Sequence, residues 1–197
     1  VINFHDLCSK FDLVFLLKDE SEASIIDAIR KCHAFYRAHG HDIKHLHTDN
    51  FKSYVSDATK QVVLQELRAV YTTSPPNTPR SNSTSERQWR DMGNDTRKLL
   101  QHAKLPRNYA WYALRQAVLV RNTLPFAKDP DNCSYKLFMG RPPRVTALRV
   151  WGCVVYPKLY HLVTKMSNQS VACINLGPAE SQPGFMCFDP STKRIHV

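Results

Sequence analysis

The sequence predicts an α/β domain followed by a small all-β module. Three observations carry the prediction. Short apolar runs alternate with helically spaced stretches over the first 73 residues. Helical periodicity stops at Gly140-Arg141-Pro142-Pro143. Beyond that point only short strand candidates remain. A chain of 197 residues with 43% apolar content is large enough for one packed core and a small second one.

The elements follow in order. Val1–His5 reads as a strand and Phe11–Leu17 as a second, joined by the polar turn Asp6–Lys10. Ser21 is placed as an N-cap, with Ile25, Ile26, Ile29, Cys32, Phe35 and Tyr36 at helical spacing and Gly40 as the stop. Ile43–Thr48 is a strand ending at Asp49-Asn50. A helix over 59–68 and a strand over 69–73 complete a strand–helix alternation, the signature of an α/β sheet. Residues 74–85 hold three prolines and six Ser or Thr, so they form a loop. Helices are expected over 84–102 and 108–122, split by Leu105-Pro106. A polar connection over 125–133 then leads to a short turn capped by Ser134. Residues 1–140 thus form the first domain and 141–197 the second. In the second, strands are expected over 149–156, 171–176, 184–188 and 194–197, as in a small barrel or SH3-like module.

Charge is divided unequally. Residues 1–70 carry nine Lys or Arg against ten Asp or Glu, while residues 71–197 carry 18 against seven. The net charge of +10 therefore lies in the later part, which points to a polyanion partner. Six cysteines without a CxxC spacing read as buried free thiols in a reducing compartment. His39, His41, His45 and His47 alternate, but they lack the spacing and thiol partners of a zinc site. No signal peptide and no apolar run of membrane-spanning length occurs, so no membrane association is expected.

Two acidic residues stand at positions suited to chemistry. Asp49 ends a strand, and Glu86 opens a helix after the proline-rich loop, with 36 residues between them. Carboxylates so placed can share divalent cations, for which hard oxygen ligands suit Mg²⁺. A pair of such ions serves phosphoryl transfer. The structural reading is a turn-capping Asp and a Glu favoured by the helix dipole.

The loop Ser74 to Arg87 resembles the S-x-P-Y-T-P-Q-Q-N-G-x-x-E-R segment of copia-type retrotransposon integrases, with Ser74, Pro76, Thr78, Pro79, Asn82, Glu86 and Arg87 matching. His47-Thr48-Asp49-Asn50 resembles R-S-D-N in the same family. Leu105-Pro106 with Trp111, Asn122 to Pro125, Ser134 to Gly140, Leu148 to Cys153, Cys173 to Gly177 and Phe188-Asp189-Pro190 resemble its later motifs, in order. The resemblance implies a ribonuclease H-like integrase core followed by an SH3-like domain. It implies a nuclear Pol polyprotein product that trims and joins DNA ends, using Mg²⁺ or Mn²⁺ held by three carboxylates, and that acts as a homo-oligomer on element and target DNA. Asp49 and Glu86 match two of the three. Arg87, Arg90, Arg97 and Lys98 are the implied DNA contacts, Arg90 and Arg97 lying on the helical face of Glu86.

This chain departs from the family's pattern in three places. The strand bearing the first catalytic Asp has no counterpart, since only two strands precede Ser21. Asp6, in the turn between them, is no substitute. An active site so incomplete is expected to be silent, and an unpaired sheet edge invites association. The family's Gly-Gly-Glu after the second Asp becomes Phe51-Lys52-Ser53, and its Asn-Gly becomes Asn82-Ser83. A non-catalytic DNA-binding remnant, or a host-adopted element protein, is the other reading. In the second domain Arg141, Arg144, Arg149, Lys158, Lys165, Lys193 and Arg194 are candidate backbone contacts. Trp151 and Tyr156 are candidates for base stacking, the alternative being the core of the small barrel, which is the preferred reading for Trp151.

Overall fold

The computed structural model describes residues 1–74, 83–158, 170–179 and 182–197, with backbone alone for 83–85 and 147. Pro76, Thr78, Pro79 and Asn82 of the proline-rich loop, and Lys165, lie outside the described residues. The chain divides into two compact units, Val1–Arg90 with Pro125–Pro142, and Asp91–Leu124 with Pro143–Val197.

The first unit opens with β1 (Ile2–His5) and β2 (Asp12–Phe15), an antiparallel hairpin with Ile2 opposite Phe15. Asp6 caps its turn, accepting hydrogen bonds from Ser9 N at 2.7 Å and Ser9 Oγ at 2.5 Å. The helix α1 (Glu22–Ala38) starts at Ser21, whose side chain accepts from Ser24 N. Gly40, left-handed at φ +80°, follows its last turn. Ile25, Ile29 and Cys32 are almost wholly buried on its inner face. Burial raises the Cys32 thiol to about 12, so that side chain is a core residue rather than a nucleophile.

Next come β3 (His45–Thr48), α2 (Asp57–Gln61) and β4 (Val70–Thr73), which runs parallel to β3 with His45 opposite Val70. The helix expected over 59–68 begins earlier, because Ser56 caps it, and its second half is a π-helical turn, Val62–Glu66. Val62 and Val63 are β-branched and buried there, so tertiary packing overrides a poor local helix former. The two strand pairs share one core: Ile2 and Phe4 pack with Ile43, Val63 and Ala69. They form separate two-stranded sheets, however, and no backbone pairing joins them among the described residues.

The helix α3 (Ser83–Ala103) runs from the first unit into the second, and a 3₁₀ turn at Arg107–Tyr109 leads into α4 (Ala110–Thr123). The chain then returns to the first unit. The polar connection expected over 125–133 is instead a hairpin, β5 (Pro125–Phe126) with β6 (Asp129–Cys133). The cap of α5 (Ser134–Met139) is Cys133, whose Sγ accepts from Lys136 N at 3.4 Å, not Ser134. Phe138 of α5 stacks on Phe11 with ring centres 4.5 Å apart.

The second unit ends in β7 (Val154–Val155), β8 (Cys173–Pro178), β9 (Phe185–Asp189) and β10 (Arg194–His196). They form one antiparallel sheet in the order β10-β9-β8-β7, an open sheet among the described residues. The strand expected over 149–156 is cut to two residues, because the chain turns at Trp151-Gly152, where Gly152 has φ +80°. Trp151 is 2% exposed and packs with Leu100, Ala113 and Leu176, as expected of a core residue. Tyr156 is exposed.

Asp189 closes the β9–β10 turn. Its carboxylate accepts from Ser191 N at 2.8 Å, Ser191 Oγ at 2.7 Å and Thr192 Oγ1 at 2.8 Å, and these bonds lower its pKa to about 2. The folded value lies below the unfolded one of about 3.9. The stabilisation is therefore fully present above pH ~4 and is lost as the pH falls towards 2. Asp189→Asn is expected to remove that part of the acid dependence of unfolding. An unchanged urea midpoint profile between pH 4 and 2 would contradict it.

Candidate active site

Asp49 follows the C-terminal end of β3 and is exposed. Its Oδ1 accepts from Phe51 N at 3.2 Å, the short-range turn bond that an Asp favours. The ends of β3 and β4 are tied beyond the sheet. Ser74 N donates to Thr48 O at 3.0 Å, and Asn50 Nδ2 donates to Ser74 O at 2.6 Å. Beneath them Thr48 Oγ1 donates to Tyr71 Oη, which donates to Tyr54 O, both at 2.7 Å. Tyr54 is held above its ordinary pKa by burial first, then by the charges of Asp49 and Glu20.

The Phe51-Lys52-Ser53 departure does not strain the backbone. None of the three has a positive φ, and Phe51 O accepts from Tyr54 N and Val55 N to form a tight turn. The non-glycine residues with positive φ among those described are Lys10, Arg68, Lys104 and Lys193.

Glu86 stands in the first turn of α3 and is exposed. There the unsatisfied N–H groups of the helix favour a negative charge. Arg87, Arg90, Arg97 and Lys98 are exposed on the same helix, but they are not equivalent. Arg97 is bonded to Asn94 Oδ1. Lys98 lies 3.4 Å from Asp95, which also holds Arg121 at 3.1 Å. Arg87 and Arg90 have no hydrogen bond or ion pair among the described residues, so their charge is the least compensated of the four.

Asp49 and Glu86 belong to the same compact unit, and no hydrogen bond joins them. As donors they fit a hard divalent cation, being exposed carboxylates outside any ion pair among the described residues. That fit is one of donor type for each residue alone: no group of three or more His, Cys, Asp or Glu able to hold a metal occurs among the described residues. Asp6 is committed to its turn. His45 Nε2 and His47 Nδ1 both meet Thr72 Oγ1, at 2.6 and 2.9 Å, and His47 Nε2 meets Ser74 Oγ at 3.0 Å. His41 Nε2 meets Phe138 O at 2.7 Å.

Sequence reasoning missed a polar cluster that α3 joins through Gln88. Asp12, buried on β2, accepts from Asn3 Nδ2 at 3.0 Å and meets His5 Nδ1 at 3.0 Å. Gln88 Nε2 of α3 lies 3.0 Å from the same imidazole. Asn3 Oδ1 and Gln88 Oε1 are buried without a partner among the described residues. The one available signal is an Asp inside the apolar run Phe11–Leu17. All six cysteines are free, and Cys8 is exposed rather than buried. No helix of the described residues is long and apolar enough to cross a membrane.

The solved structures that this chain resembles are integrases. It superposes on a chain of the simian T-cell lymphotropic virus intasome, solved in complex with PP2A regulatory subunit B56 gamma, with a TM-score of 0.58 and 18% identity over 95% of this chain and 65% of that one. It also superposes on the HTLV-2 integrase catalytic core domain, solved in complex with magnesium, with a TM-score of 0.53 and 18% identity over 68% and 80% of the two chains. The fold is therefore the ribonuclease H-like α/β fold of an integrase catalytic core, with a small all-β sheet at its C-terminal end. No protein-family model matches the chain. By sequence it is 34% identical over 126 residues to the retrovirus-related Pol polyprotein from transposon RE1 of Arabidopsis thaliana. It is 26% identical over 199 residues to that from transposon TNT 1-94 of Nicotiana tabacum, an alignment covering 98% of this chain. It spans 9% and 14% of those polyproteins. A copia-type retrotransposon integrase fits both the fold and these relatives.

Proposed function

We propose that the chain is the DNA-handling part of a metal-dependent retrotransposon integrase, acting in the nucleus on element ends and target DNA and assembling as a homo-oligomer. Residues 1–140 are the catalytic core in this reading, and residues 141–197 an SH3-like DNA-binding domain. Asp49 and Glu86 are two of its three metal-holding carboxylates. Mg²⁺ or Mn²⁺ bound there would activate an attacking hydroxyl or water and stabilise the leaving oxygen. The protein's own part is to present Asp49 from a cross-tied strand end and Glu86 from a helix start. Arg87, Arg90, Arg97 and Lys98 hold phosphates along that helix, and the basic residues of 141–197 extend the contact.

The observation that supports this reading most is Glu86 on an exposed helix start with two uncompensated arginines beside it, in an integrase-core fold. Arg87→Ala with Arg90→Ala is expected to weaken DNA binding across sequences. It should also lower the salt slope of log K by about one for each phosphate that is no longer neutralised. Fluorescence anisotropy on a labelled duplex between 50 and 200 mM salt, roughly the range over which such neutralisation is read, checks it. A slope equal to that of the parent chain would count against the arginines, and absence of DNA binding at low salt against the whole reading.

A further inference from the structure

We propose that Trp89 is a stacking platform for an unpaired nucleobase at a DNA end. This deepens the DNA-binding reading above and rests on it. Trp89 is 38% exposed, whereas Trp151 is 2% exposed. It has no hydrogen bond and no ring contact among the described residues. An exposed indole with no partner is only a starting point, since single apolar residues on a surface are ordinary. Its neighbours in α3 give it a ligand.

Trp89 stands one helical turn after Glu86 and next to Arg90, which is exposed and has no hydrogen bond or ion pair among the described residues. Residues three and four apart share a helix face, so the indole, the carboxylate and Arg90 lie along one stripe. Gly93 occupies the next turn of that stripe. Glycine is a poor residue for a helix interior, and packing does not demand it here, because a Cβ added at Gly93 would meet nothing within 4 Å. The glycine adds no side chain to the turn beyond the indole. The Arg90 guanidinium suits a phosphate next to a nucleobase ring stacked there.

A nucleobase fits this surface better than an apolar side chain of another protein. Arg90 would have to be desolvated against an apolar partner, whereas a nucleotide brings its own anions. Every base has a π-face, so the contact is tolerant of sequence. Bases inside a duplex are already stacked, so the platform selects frayed or single-stranded ends.

The test uses the whole chain with an oligothymidylate of about a dozen nucleotides and a blunt duplex of similar length. The probe should quench tryptophan emission saturably, and Trp89→Phe should change the amplitude of that quench. Trp89→Ala should lower the ratio of single-strand to duplex affinity about tenfold or more. Trp89→Phe, which keeps an aromatic face, should restore most of that ratio. An unchanged thermal midpoint shows that Trp89→Ala is folded, and the Phe variant carries the test if it is not. A ratio equal to that of the parent chain in Trp89→Ala overturns the inference while leaving the DNA reading intact. Failure of the parent chain to bind either probe overturns both.

Discussion

Gly152→Ala is expected to be among the most damaging single substitutions in the second unit, lowering its stability by about 2–4 kcal/mol. Two separate causes add. Gly152 has φ +80°, a conformation that an alanine adopts only at a cost. An added Cβ would also lie 2.2 Å from Ala103 Cβ and 3.1 Å from Ala103 Cα, at the end of α3. The turn cannot simply move aside, because Gly152 N donates to Asn175 O at 2.8 Å and the neighbouring Trp151 fills the core. Urea unfolding of the variant reads the loss. Adding Ala103→Gly should recover the part owed to the clash and leave the part owed to the backbone angle. A midpoint within ~0.5 kcal/mol of the parent would show that the turn relaxes freely, contrary to this argument.

The largest expected effect is on catalysis. The 197-residue chain is expected not to join labelled DNA ends with Mg²⁺ or Mn²⁺. Asp49 and Glu86 supply two carboxylates, and the groups nearest to a substitute are engaged elsewhere: Asp6 by its turn, Asp12 by Asn3 and His5. A longer protein carrying an Asp-bearing strand ahead of Val1 is expected to join ends. It should lose that activity, on the order of a thousandfold or more, with Asp49→Asn or Glu86→Gln. Joining by the 197-residue chain, lost on Asp49→Asn, would refute the prediction. Joining by the longer protein that survives both substitutions would remove these residues from the chemistry.

Much of the fold is legible in the sequence because local signals agree with tertiary ones. Ser21, the apolar stripe from Ile25 to Tyr36 and Gly40 all point to one helix, and α1 is that helix. The serial motifs lead to the integrase fold for the same reason, since each short match falls in the right order. The misses lie where long-range packing decides. Nothing local in Val62-Val63-Leu64 announces a π-helical turn. Gly152 reads as strand because its neighbours Val150, Val154 and Val155 are strand formers, while the turn is set by contact with α3. At the site, Asp49 and Glu86 are visible as position together with motif. The Asp12–His5–Gln88 cluster is not, because it joins residues 83 apart in the sequence.

The separation of the first unit's strands into two pairs has a kinetic meaning. The β1–β2 hairpin closes across six residues, Asp6 to Phe11, and such local pairing forms on the microsecond scale. The parallel β3–β4 pair cannot zip from a turn, since α2 and the π-helical segment lie between its strands. Its hydrogen bonds wait for that crossover to dock, and long-range pairing of this kind is slow. The candidate catalytic edge, with Asp49 at the end of β3, would then be among the last parts of the unit to acquire its native order. In hydrogen-exchange labelling during refolding, amides of β3 and β4 would gain protection after those of β1 and β2.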